Sequence, residues 1–442
     1  MYALYSVLIV LFFVIMSPYF LYQAVRYRKY IASLPQRLGY LPLSFNFDGD
    51  ESVWIHAVSV GEVLTARALL PELRDRYPRL RIFLSTTTMT GQQVARSNVH
   101  YVDDVFYFPF DLRPIMKRTI GQVKPRLFIM METEIWPNLL RVCREAGVKT
   151  VLVNGRISSR SFPRYRLGRA FFRRVLAHVD RLCMQSEESA RRIIEIGAER
   201  ERVSVTGSLK FDSLDIPGVA GADRGRNRVL RYFRVSTGRP VVIAASTLKG
   251  EEEPVLDAFQ RVRATWGNAL LIVAPRKIER FDEVERVARR AGWRVARRTE
   301  LPVDSEPRVD VVVLDTIGEL AQLYQVATAV FVGGSLVDAG GHNILEPAVF
   351  GKPIVFGPYM HNFTEIARTF VENRGAIQVR SAAELETTLV ELLSDPVKRA
   401  SLGAAARALV EANRGARAKS LAVITQLMPS DAPGTVLPFR AI

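Results

Sequence analysis

Val330-Phe331-Val332-Gly333-Gly334-Ser335-Leu336 joins a short apolar run to a glycine-rich turn. The apolar part is typical of a strand that is buried on both faces, and the turn leads through Gly340-Gly341 into a helical pattern. A strand, a loop and a helix in this order form the repeating unit of a parallel sheet with right-handed crossovers. The stretch therefore predicts an α/β protein.

Similar apolar runs, separated by helix-length segments, form two series along the chain. They lie at residues 53–58, 81–85, 127–130, 150–153, 181–184 and 203–205, and again at 241–244, 270–273, 311–314, 329–332 and 353–356. Residues 211–239 between the series are rich in Gly, Asp, Pro and Arg, and we expect a linker there that leads into a short helix. The pattern predicts two Rossmann-like domains that face each other across a cleft, with ligands beyond the carboxyl ends of the strands.

The composition is that of a globular protein with an anionic partner. The 442 residues are 48% hydrophobic and 24% charged, and the net charge is +16. Nucleic acid, an anionic membrane and a phosphorylated substrate all fit this charge. Two cysteines and five scattered histidines provide no metal-ligand spacing, and the Asp48-Gly49-Asp50 motif precedes the first strand. We therefore expect no divalent cation in catalysis.

The N-terminus predicts a membrane anchor at residues 1–29. Residues 1–25 carry no charged side chain, and as a helix they would extend about 37 Å, enough for a hydrocarbon core of roughly 30 Å. Arg26, Arg28 and Lys29 follow and place the remaining chain on the cytoplasmic side. Because Pro18 could kink the helix, a shallow anchor in one leaflet remains an alternative to a full span. Behind the anchor we expect domains at residues 30–215 and 216–428 and a tail at 429–442.

Several polar side chains follow the strands of the first series. Gly61 permits a tight turn after the first strand, and Glu62 then lies at a helix N-terminus, where it could act as a general base or only complement the helix dipole. Capping explains the hydroxyl run at residues 86–90, although that run could also line a sugar site. We expect the acceptor side of a site to be formed by these groups: Ser59, Gly61, Thr88, Glu132, Glu134, Arg156 and Arg160.

The last two of these residues open a stretch in which arginines alternate with aromatic side chains. It runs through residues 156–174 and includes Phe162, Tyr165 and Phe171. Such a mixture suits a membrane interface or a lipid that carries phosphates. A nucleic-acid surface is the rival interpretation, and a merely solvated basic helix is the simplest one. The predicted anchor favours lipid.

The second series predicts a donor site that binds phosphate. Backbone N–H groups of a glycine-rich loop before a helix can hold a phosphate, and a nearby carboxylate could bind ribose hydroxyls. The spacing is neither G-x-G-x-x-G nor G-K-[ST], which disfavours hydride transfer and P-loop chemistry. The candidate donor-binding residues are Gly334, Ser335, Gly341, Asn343 and Glu346, together with Lys249, Arg276 and Lys277 from loops after two earlier strands.

These segments, in this order, resemble the Kdo transferase family, which moves 3-deoxy-D-manno-oct-2-ulosonic acid (Kdo) from CMP-Kdo to lipid A precursors. The matching stretches are residues 59–62, 131–140, 154–158, 206–212 and 333–346. Leu248 and Lys277 stand where the family commonly has His, and Gly155 replaces a usual Ala.

The resemblance implies a GT-B fold and an inverting, metal-independent transfer at the cytoplasmic face of the bacterial inner membrane. It further implies Glu62 as the general base and a CMP site around Arg276, Gly341, Asn343 and Glu346, with CMP-Kdo and a lipid A precursor as partners and no nucleic acid. The rival interpretations are a GT-B transferase that uses a UDP-sugar and a basic, membrane-tethered module that binds nucleic acid or lipid.

Overall fold

The structure, a computed structural model, describes residues 1–27, 33–42, 44–98, 101–214, 233–236 and 238–428. The chain divides into two compact units, one formed by Met1–Ser213 with Arg414–Ile442 and the other by Leu214–Asn413. The expected second domain continues to residue 428, whereas the structure places residues from Arg414 onward in the first unit. Most of the expected linker and its short helix, at residues 215–232 and 237, and the tail at 429–442 lie outside the described residues.

The first unit is built on a seven-stranded sheet in the order β3-β2-β1-β4-β5-β6-β7, in which every pairing is parallel. All of its strands except β3 coincide with predicted runs. The strands are β1 (Ser52–His56), β2 (Arg81–Thr86), β3 (Asp104–Tyr107), β4 (Pro125–Met131), β5 (Lys149–Gly155), β6 (Arg181–Met184) and β7 (Val203–Val205).

Both faces of this sheet are covered, which explains why its central strands are apolar without alternation. In β1, Trp54 lies opposite Phe83 and Phe128 on one face, whereas Val53 and Ile55 belong to the core on the other face. The covering helices are α1 (Tyr2–Tyr27), α2 (Leu34–Arg37), α3 (Val60–Ala66), α4 (Leu70–Arg76), α5 (Met89–Asn98), α6 (Arg113–Val123), α7 (Pro137–Glu145), α8 (Phe162–Leu167), α9 (Arg169–Leu176) and α10 (Glu187–Ile196), with a 3₁₀ turn at Arg200–Arg202.

The second unit repeats the architecture with seven parallel strands in the order β10-β11-β9-β8-β12-β13-β14. Five of the strands were predicted, and the two edge strands β10 and β14 were not. The strands are β8 (Val241–Thr247), β9 (Leu270–Pro275), β10 (Val295–Arg297), β11 (Val311–Val313), β12 (Ala329–Val332), β13 (Ile354–Phe356) and β14 (Ile377–Gln378).

Local sequence fixes where several helices of this unit begin. Ser381 caps one helix by accepting a hydrogen bond from the Glu384 N–H, and Asp395 caps the next through the Lys398 N–H. The helices are α11 (Glu252–Thr265), α12 (Phe281–Arg290), α13 (Leu320–Leu323), α14 (Leu345–Val349), α15 (Thr364–Glu372), α16 (Ala382–Ser394) and α17 (Pro396–Ala412), with 3₁₀ turns at Ile278–Arg280, Arg298–Glu300 and Tyr324–Val326.

The last helix, α18 (Ala416–Leu427), belongs to the first unit. Leu421 and Ile424 are fully buried in the core cluster that contains Val53 and Ile55 of β1. The Tyr77 hydroxyl donates a hydrogen bond of 2.5 Å to the carbonyl of Met428. The C-terminal helix therefore completes the core of the N-terminal unit.

Candidate active site

Glu62 lies in the first turn of α3, just beyond the carboxyl end of β1. One oxygen of its carboxylate accepts a hydrogen bond from the backbone N–H of Val58 at 2.8 Å, and the other accepts one from the Ser59 hydroxyl at 3.1 Å. Only 9% of the residue is exposed. The carboxylate is thus held in one orientation by its own loop, at the sheet edge where ligands of α/β proteins bind.

The surroundings of Glu62 tune its proton affinity to the neutral range. The pKa of this carboxyl is raised to about 7, chiefly by burial and also by the negative charge of Glu132, whereas the Val58 N–H, the Ser59 hydroxyl and the charge of Lys210 act to lower it. A carboxyl with a pKa near 7 exchanges a proton readily at neutral pH. The carboxyl can therefore accept a proton near neutral pH, which is the chemistry that a general base needs.

Two further glutamates follow β4 and adjoin the same site. Glu132 adopts a left-handed backbone conformation with φ 56°, and its carboxylate lies 3.8 Å from the Lys210 ammonium. Burial raises the pKa of Glu134 to about 8, and the charge of Glu62 adds to the effect. Three carboxyl groups and one ammonium group thus influence one another here, although sequence analysis proposed no role for Lys210. The only sequence signal for this lysine is its place in the stretch 206–212 that resembles the Kdo transferases.

Aromatic side chains pack against one another beside these acids. The His56 ring stacks on Phe108 with centroids 3.8 Å apart, and Trp136 packs against Phe108 at 4.8 Å. His56 Nε2 lies 3.9 Å from a Glu134 oxygen and has no hydrogen-bond partner among the described residues. Because burial lowers the pKa of His56 to about 3, the imidazole is neutral and the contact is not an ion pair. Sequence analysis missed His56, since a histidine at the end of a buried strand carries no motif.

Thr88 and Gly91 fix the loop that holds Glu62. The Thr88 hydroxyl donates to the Val58 carbonyl at 3.2 Å and accepts from the Gly91 N–H at 3.0 Å, so it caps α5 and ties that helix to the Glu62 loop. A Cβ at Gly91 would lie 2.8 Å from the Thr88 hydroxyl oxygen and 3.3 Å from the Val58 carbonyl. Ser59, Gly61 and Thr88 therefore lie in or against the loop of Glu62, and their role in acceptor binding stays a prediction.

Of the arginines predicted to bind the acceptor, Arg156 lies near the loop of the glutamates after β4, whereas the others are exposed. The Thr133 hydroxyl donates to the Arg156 carbonyl at 2.5 Å, which joins the loops after β4 and β5, and Arg156 Nε has no hydrogen-bond partner among the described residues. Arg160 is exposed. The exposed basic surface continues along α8 and α9 through Arg164, Arg166, Arg169, Arg173 and Arg174.

In the second unit, the glycine-rich loop after β12 is occupied by a carboxylate of the protein itself. Glu251 accepts hydrogen bonds from the backbone N–H groups of Leu248, Gly334, Ser335 and Leu336 at 2.7–3.0 Å, and it is fully buried. The Ser335 hydroxyl is also committed, because it donates to the Val332 carbonyl and accepts from the Gly357 N–H. The expectation that Gly334 and Ser335 bind a donor phosphate through these N–H groups therefore needs revision.

The other donor candidates lie at the carboxyl edge of the second sheet. Strands β8 and β9 are neighbours, and the Arg276 N–H donates to the Thr247 carbonyl at 3.0 Å, so the loops that carry Lys249, Arg276 and Lys277 adjoin. All three of these cationic side chains are exposed. The edge thus presents positive charge to solvent.

A polar group after β12 lies within the electrostatic influence of Arg276. The Asn343 amide donates to a Glu346 oxygen at 3.2 Å. Burial raises the pKa of Glu346 and lowers that of His342 to about 4, while Arg276 lowers both. His342 is therefore neutral, and its Nε2 has no hydrogen-bond partner in the described part of the chain. It is a second site histidine that the sequence analysis did not select.

Gly340 and Gly341 are sterically confined in the loop after β12. Both have positive φ, and a Cβ on either would collide with Asn362 or Met360. Beside them, a cavity of about 480 Å³ is lined by residues after β13, including Tyr359, Met360 and His361. Among the described residues, no group of three or more His, Cys, Asp or Glu side chains could hold a metal ion.

Comparison with known proteins identifies relatives along most of the chain. Residues 32–213 match the family profile described as 3-Deoxy-D-manno-octulosonic-acid transferase (kdotransferase). A 3-deoxy-D-manno-octulosonic acid transferase of Haemophilus influenzae is 34% identical over 400 residues, which cover 89% of this chain and 91% of the relative. The enzyme of the same name from Bordetella pertussis is 34% identical over 382 residues, or 84% of this chain and 86% of the relative.

Solved structures agree on the fold. Anabaena Alr3699/HepE in complex with UDP has a TM-score of 0.55 at 15% identity and covers 85% of this chain and 100% of that one. A UDP-N-acetylglucosamine 2-epimerase has a TM-score of 0.57 at 13% identity, with coverage of 88% and 100%. These likenesses and the two parallel sheets confirm the predicted class, two Rossmann-like units of the GT-B type with an apolar N-terminal helix.

Proposed function

This chain belongs to the 3-deoxy-D-manno-octulosonic acid transferase family and is a glycosyltransferase of lipopolysaccharide biosynthesis, and we propose that it moves Kdo from CMP-Kdo to a lipid A precursor with Glu62 as the general base. The observation that carries this mechanism is the oriented Glu62 carboxyl, whose pKa of about 7 lies near neutral pH.

The proposed step is a single inverting displacement. An acceptor hydroxyl oxygen attacks the anomeric carbon of Kdo from the face opposite the CMP phosphate. As the new carbon–oxygen bond forms, the bond to the phosphate oxygen breaks and CMP leaves with the electron pair. Glu62 takes the hydroxyl proton, and the hydrogen bonds from Val58 and Ser59 keep its lone pairs directed while the proton moves.

We propose that the neighbouring polar groups position the acceptor. Glu134, with its pKa near 8, is protonated at neutral pH and can donate a hydrogen bond to a sugar oxygen. Arg156 and Arg160 lie on the loop after β5 and can pair with acceptor phosphates, and the exposed arginines of α8 and α9 extend this surface. Phosphates of a lipid A precursor fit this charge.

For the donor, we propose that Arg276, Lys277 and Lys249 bind the CMP phosphate and the Kdo carboxylate. Two anions on one donor require several cations, and these loops adjoin at one sheet edge. Gly341, Asn343 and Glu346 are the proposed ribose and phosphate contacts, whereas Gly334 and Ser335 support the loop from within. Because arginine and lysine side chains can balance the charge of the leaving phosphate, we propose a transfer that needs no divalent cation.

The direct test is transfer of Kdo from CMP-Kdo to a tetraacylated lipid A precursor by purified protein in detergent with EDTA present. Mass spectrometry of the lipids should show a gain of one or more Kdo units. Product only after Mg²⁺ is restored would contradict metal independence alone. The UDP-sugar alternative would be favoured if folded protein gave no product under either condition. It would be favoured further if the protein transferred a different sugar and UDP, rather than CMP, inhibited that transfer.

We also propose that the catalytic body works at the cytoplasmic face of the bacterial inner membrane and binds no nucleic acid. The described part of the chain contains one helix that is long and apolar enough to cross a membrane, with a candidate span at Tyr2–Tyr19. Fractionation of cells should find the protein with the inner membrane. Tight binding of RNA or DNA near physiological salt would instead support the nucleic-acid alternative.

A further inference from the structure

The first half of α1 is attached to the first unit along its length. The Tyr5 hydroxyl donates to the Asp111 carboxylate at 2.9 Å, and the Ser6 hydroxyl accepts from the Asn138 amide at 3.1 Å. Asp111 is itself fixed, because it accepts the N–H groups of Asn138 and Leu139 at the start of α7. The helix is therefore bonded through a partly buried polar network to Asp111, after β3, and to the start of α7.

Aromatic contacts extend the attachment in both directions. The Tyr2 ring packs on Phe171 of α9 at 5.8 Å and lies under the Arg141 guanidinium at 5.3 Å. Eleven residues later, Phe13 packs against Phe110 at 4.3 Å. At 1.5 Å per residue these contacts extend over about 17 Å of helix.

The exposure pattern shows which face of α1 is attached. The half-buried side chains recur at helical spacing, and they are Tyr2, Tyr5, Ser6, Ile9, Phe13 and Met16. The opposite face is apolar and exposed, and it consists of Leu4, Val7, Leu8, Leu11, Phe12, Val14 and Ile15. A helix with one face on the protein and one apolar face in the open is suited to lie along a surface.

Geometry argues against a helix that crosses the bilayer. If residues 2–13 stay on the body, the 14 residues left in α1 extend only about 21 Å, short of the roughly 30 Å hydrocarbon core. If the whole helix crossed instead, Asp111, Asn138 and Arg141 would be drawn into hydrocarbon together with it. Ionisable groups at that depth are strongly unfavourable.

The protein surface beside the N-terminal end of α1 is basic, and this charge indicates an anionic membrane as the partner. Arg174 of α9 is exposed and close enough to influence Tyr2, and Arg169 and Arg173 are exposed on the same helix. Leu167, the last residue of α8, is 91% exposed. An apolar helix face beside a cationic surface complements the interfacial layer of an anionic leaflet, where acyl chains meet charged headgroups.

We infer that α1 lies in the plane of the membrane as an interfacial helix whose N-terminus is on the same side as the catalytic body. Its exposed apolar face contacts the anionic leaflet, and its opposite face stays on the first unit. The inference rests on the proposed membrane location and decides between the full span and the shallow anchor that the sequence left open.

The position of the N-terminus provides the test. A short hydrophilic epitope placed before Met1 of the full chain is exposed to protease in cells with a permeabilised outer membrane and in inverted inner-membrane vesicles. We expect cleavage only in the inverted vesicles. Cleavage from the periplasmic side would overturn the in-plane helix and leave the membrane location intact, and Kdo transfer measured on the same membranes tests the proposed function separately.

A matched pair of variants tests the two faces. Leu8→Ser changes the exposed face and Ile9→Ser the attached one. With vesicles of phosphatidylethanolamine and phosphatidylglycerol, Leu8→Ser should weaken binding roughly tenfold, because a buried leucine contributes about that much. Ile9→Ser should bind like the parent protein but melt at a lower temperature. Equal loss of vesicle binding in both variants would contradict the inference, since a spanning helix has lipid on all sides.

Discussion

Glu251 Oε2 lies 2.7 Å from the backbone nitrogen of Gly334, so a carboxylate of the protein occupies the glycine-rich loop that a nucleotide phosphate would be expected to occupy. The acid comes from the loop after β8 and the glycine from the loop after β12, which are neighbouring strands. Gly333 is confined by the same contact, since a Cβ there would lie 2.7 Å from the Ser246 carbonyl and 2.9 Å from Glu251. The loop is thus built around an internal anion.

Replacing Glu251 should destabilise the second unit. Glu251→Ala leaves four buried N–H groups without an acceptor, and we expect a loss on the order of 4 kcal/mol in the free energy of unfolding. Glu253→Ala changes an exposed acid two residues away and should cost less than about 0.5 kcal/mol. Urea unfolding curves measure both. Equal stability of the two variants would show that the network contributes little.

Glu62→Gln should abolish most of the transfer activity. The amide keeps the size of the side chain but cannot accept the hydroxyl proton, and loss of a general base typically lowers kcat by about 10²–10⁴. The matched control is Glu187→Gln, which alters an exposed acid in the first turn of α10. It should retain the parent rate. Near-parental transfer by Glu62→Gln, with CMP binding unchanged, would exclude Glu62 as the base.

The pH profile should report the charges around Glu62. Since the base must be ionised, kcat/KM should rise as the pH increases to about 7. Glu132→Gln removes a charge that raises the pKa of Glu62, so the acidic limb should move to lower pH. Lys210→Met removes a charge that lowers this pKa and should move the limb to higher pH. Shifts in the same direction would indicate that another group controls the limb.

Glu134 should make stability depend on pH. Its pKa is raised in the folded protein from an ordinary 4.5 to about 8, so its stabilising contribution is complete below pH 4.5 and is lost as the pH rises through 8. Glu134→Gln removes this titration. Between pH 5 and 8 the parent should lose stability relative to the variant, by up to ~1 kcal/mol per pH unit. Parallel curves of unfolding free energy against pH would contradict the assignment.

Arg276→Ala should weaken donor binding. The guanidinium lies close enough to influence His342 and Glu346, so its loss removes positive charge from the proposed CMP site. Loss of one charge-assisted contact of about 1.5–3 kcal/mol corresponds to a roughly ten- to hundredfold higher Kd for CMP. Arg290→Ala, at the exposed end of α12, is the matched control. Calorimetric titration with CMP should separate the two variants.

The sequence was informative about the core of each sheet and less so about the edges. Apolar runs such as 241–244 and 329–332 are buried on both faces, as their short length and β-branched residues predicted for strands. The missed strands β3, β10 and β14 all lie at sheet edges and have two to four residues. An edge strand needs only one partner and one packed face, so its residues carry a weak hydrophobic pattern.

In the candidate site, too, sequence analysis located some of the residues and missed others. Glu62 could be selected from sequence because it follows a strong strand signal, but only the resemblance to the Kdo transferases favoured a general base over an acid that complements the helix dipole. Lys210 could not be located from sequence. It follows β7, whereas Glu132 follows β4, and these strands are three positions apart in the sheet, or about 14 Å, so the two side chains meet only because the loop after β7 brings the lysine back. That loop is guided by Asn154, whose side-chain oxygen accepts the Leu209 N–H at 3.0 Å. Likewise, no local rule indicates that Glu251 fills the glycine-rich loop, because the bond joins residues more than eighty positions apart.

The return of α18 to the first unit has a consequence for how the protein is made. Residues of the first sheet leave the ribosome before the second unit, but Leu421 and Ile424, which complete its core, are translated only after the second unit. The Asp212 carboxylate likewise accepts hydrogen bonds from the N–H groups of Gly415 and Arg417 at 2.9 and 2.8 Å, and these bonds can form only after both residues have been translated. The nascent N-terminal unit must therefore remain open on one side until the whole second unit has emerged, and premature termination anywhere before α18 should yield a product that chaperones and proteases recognise.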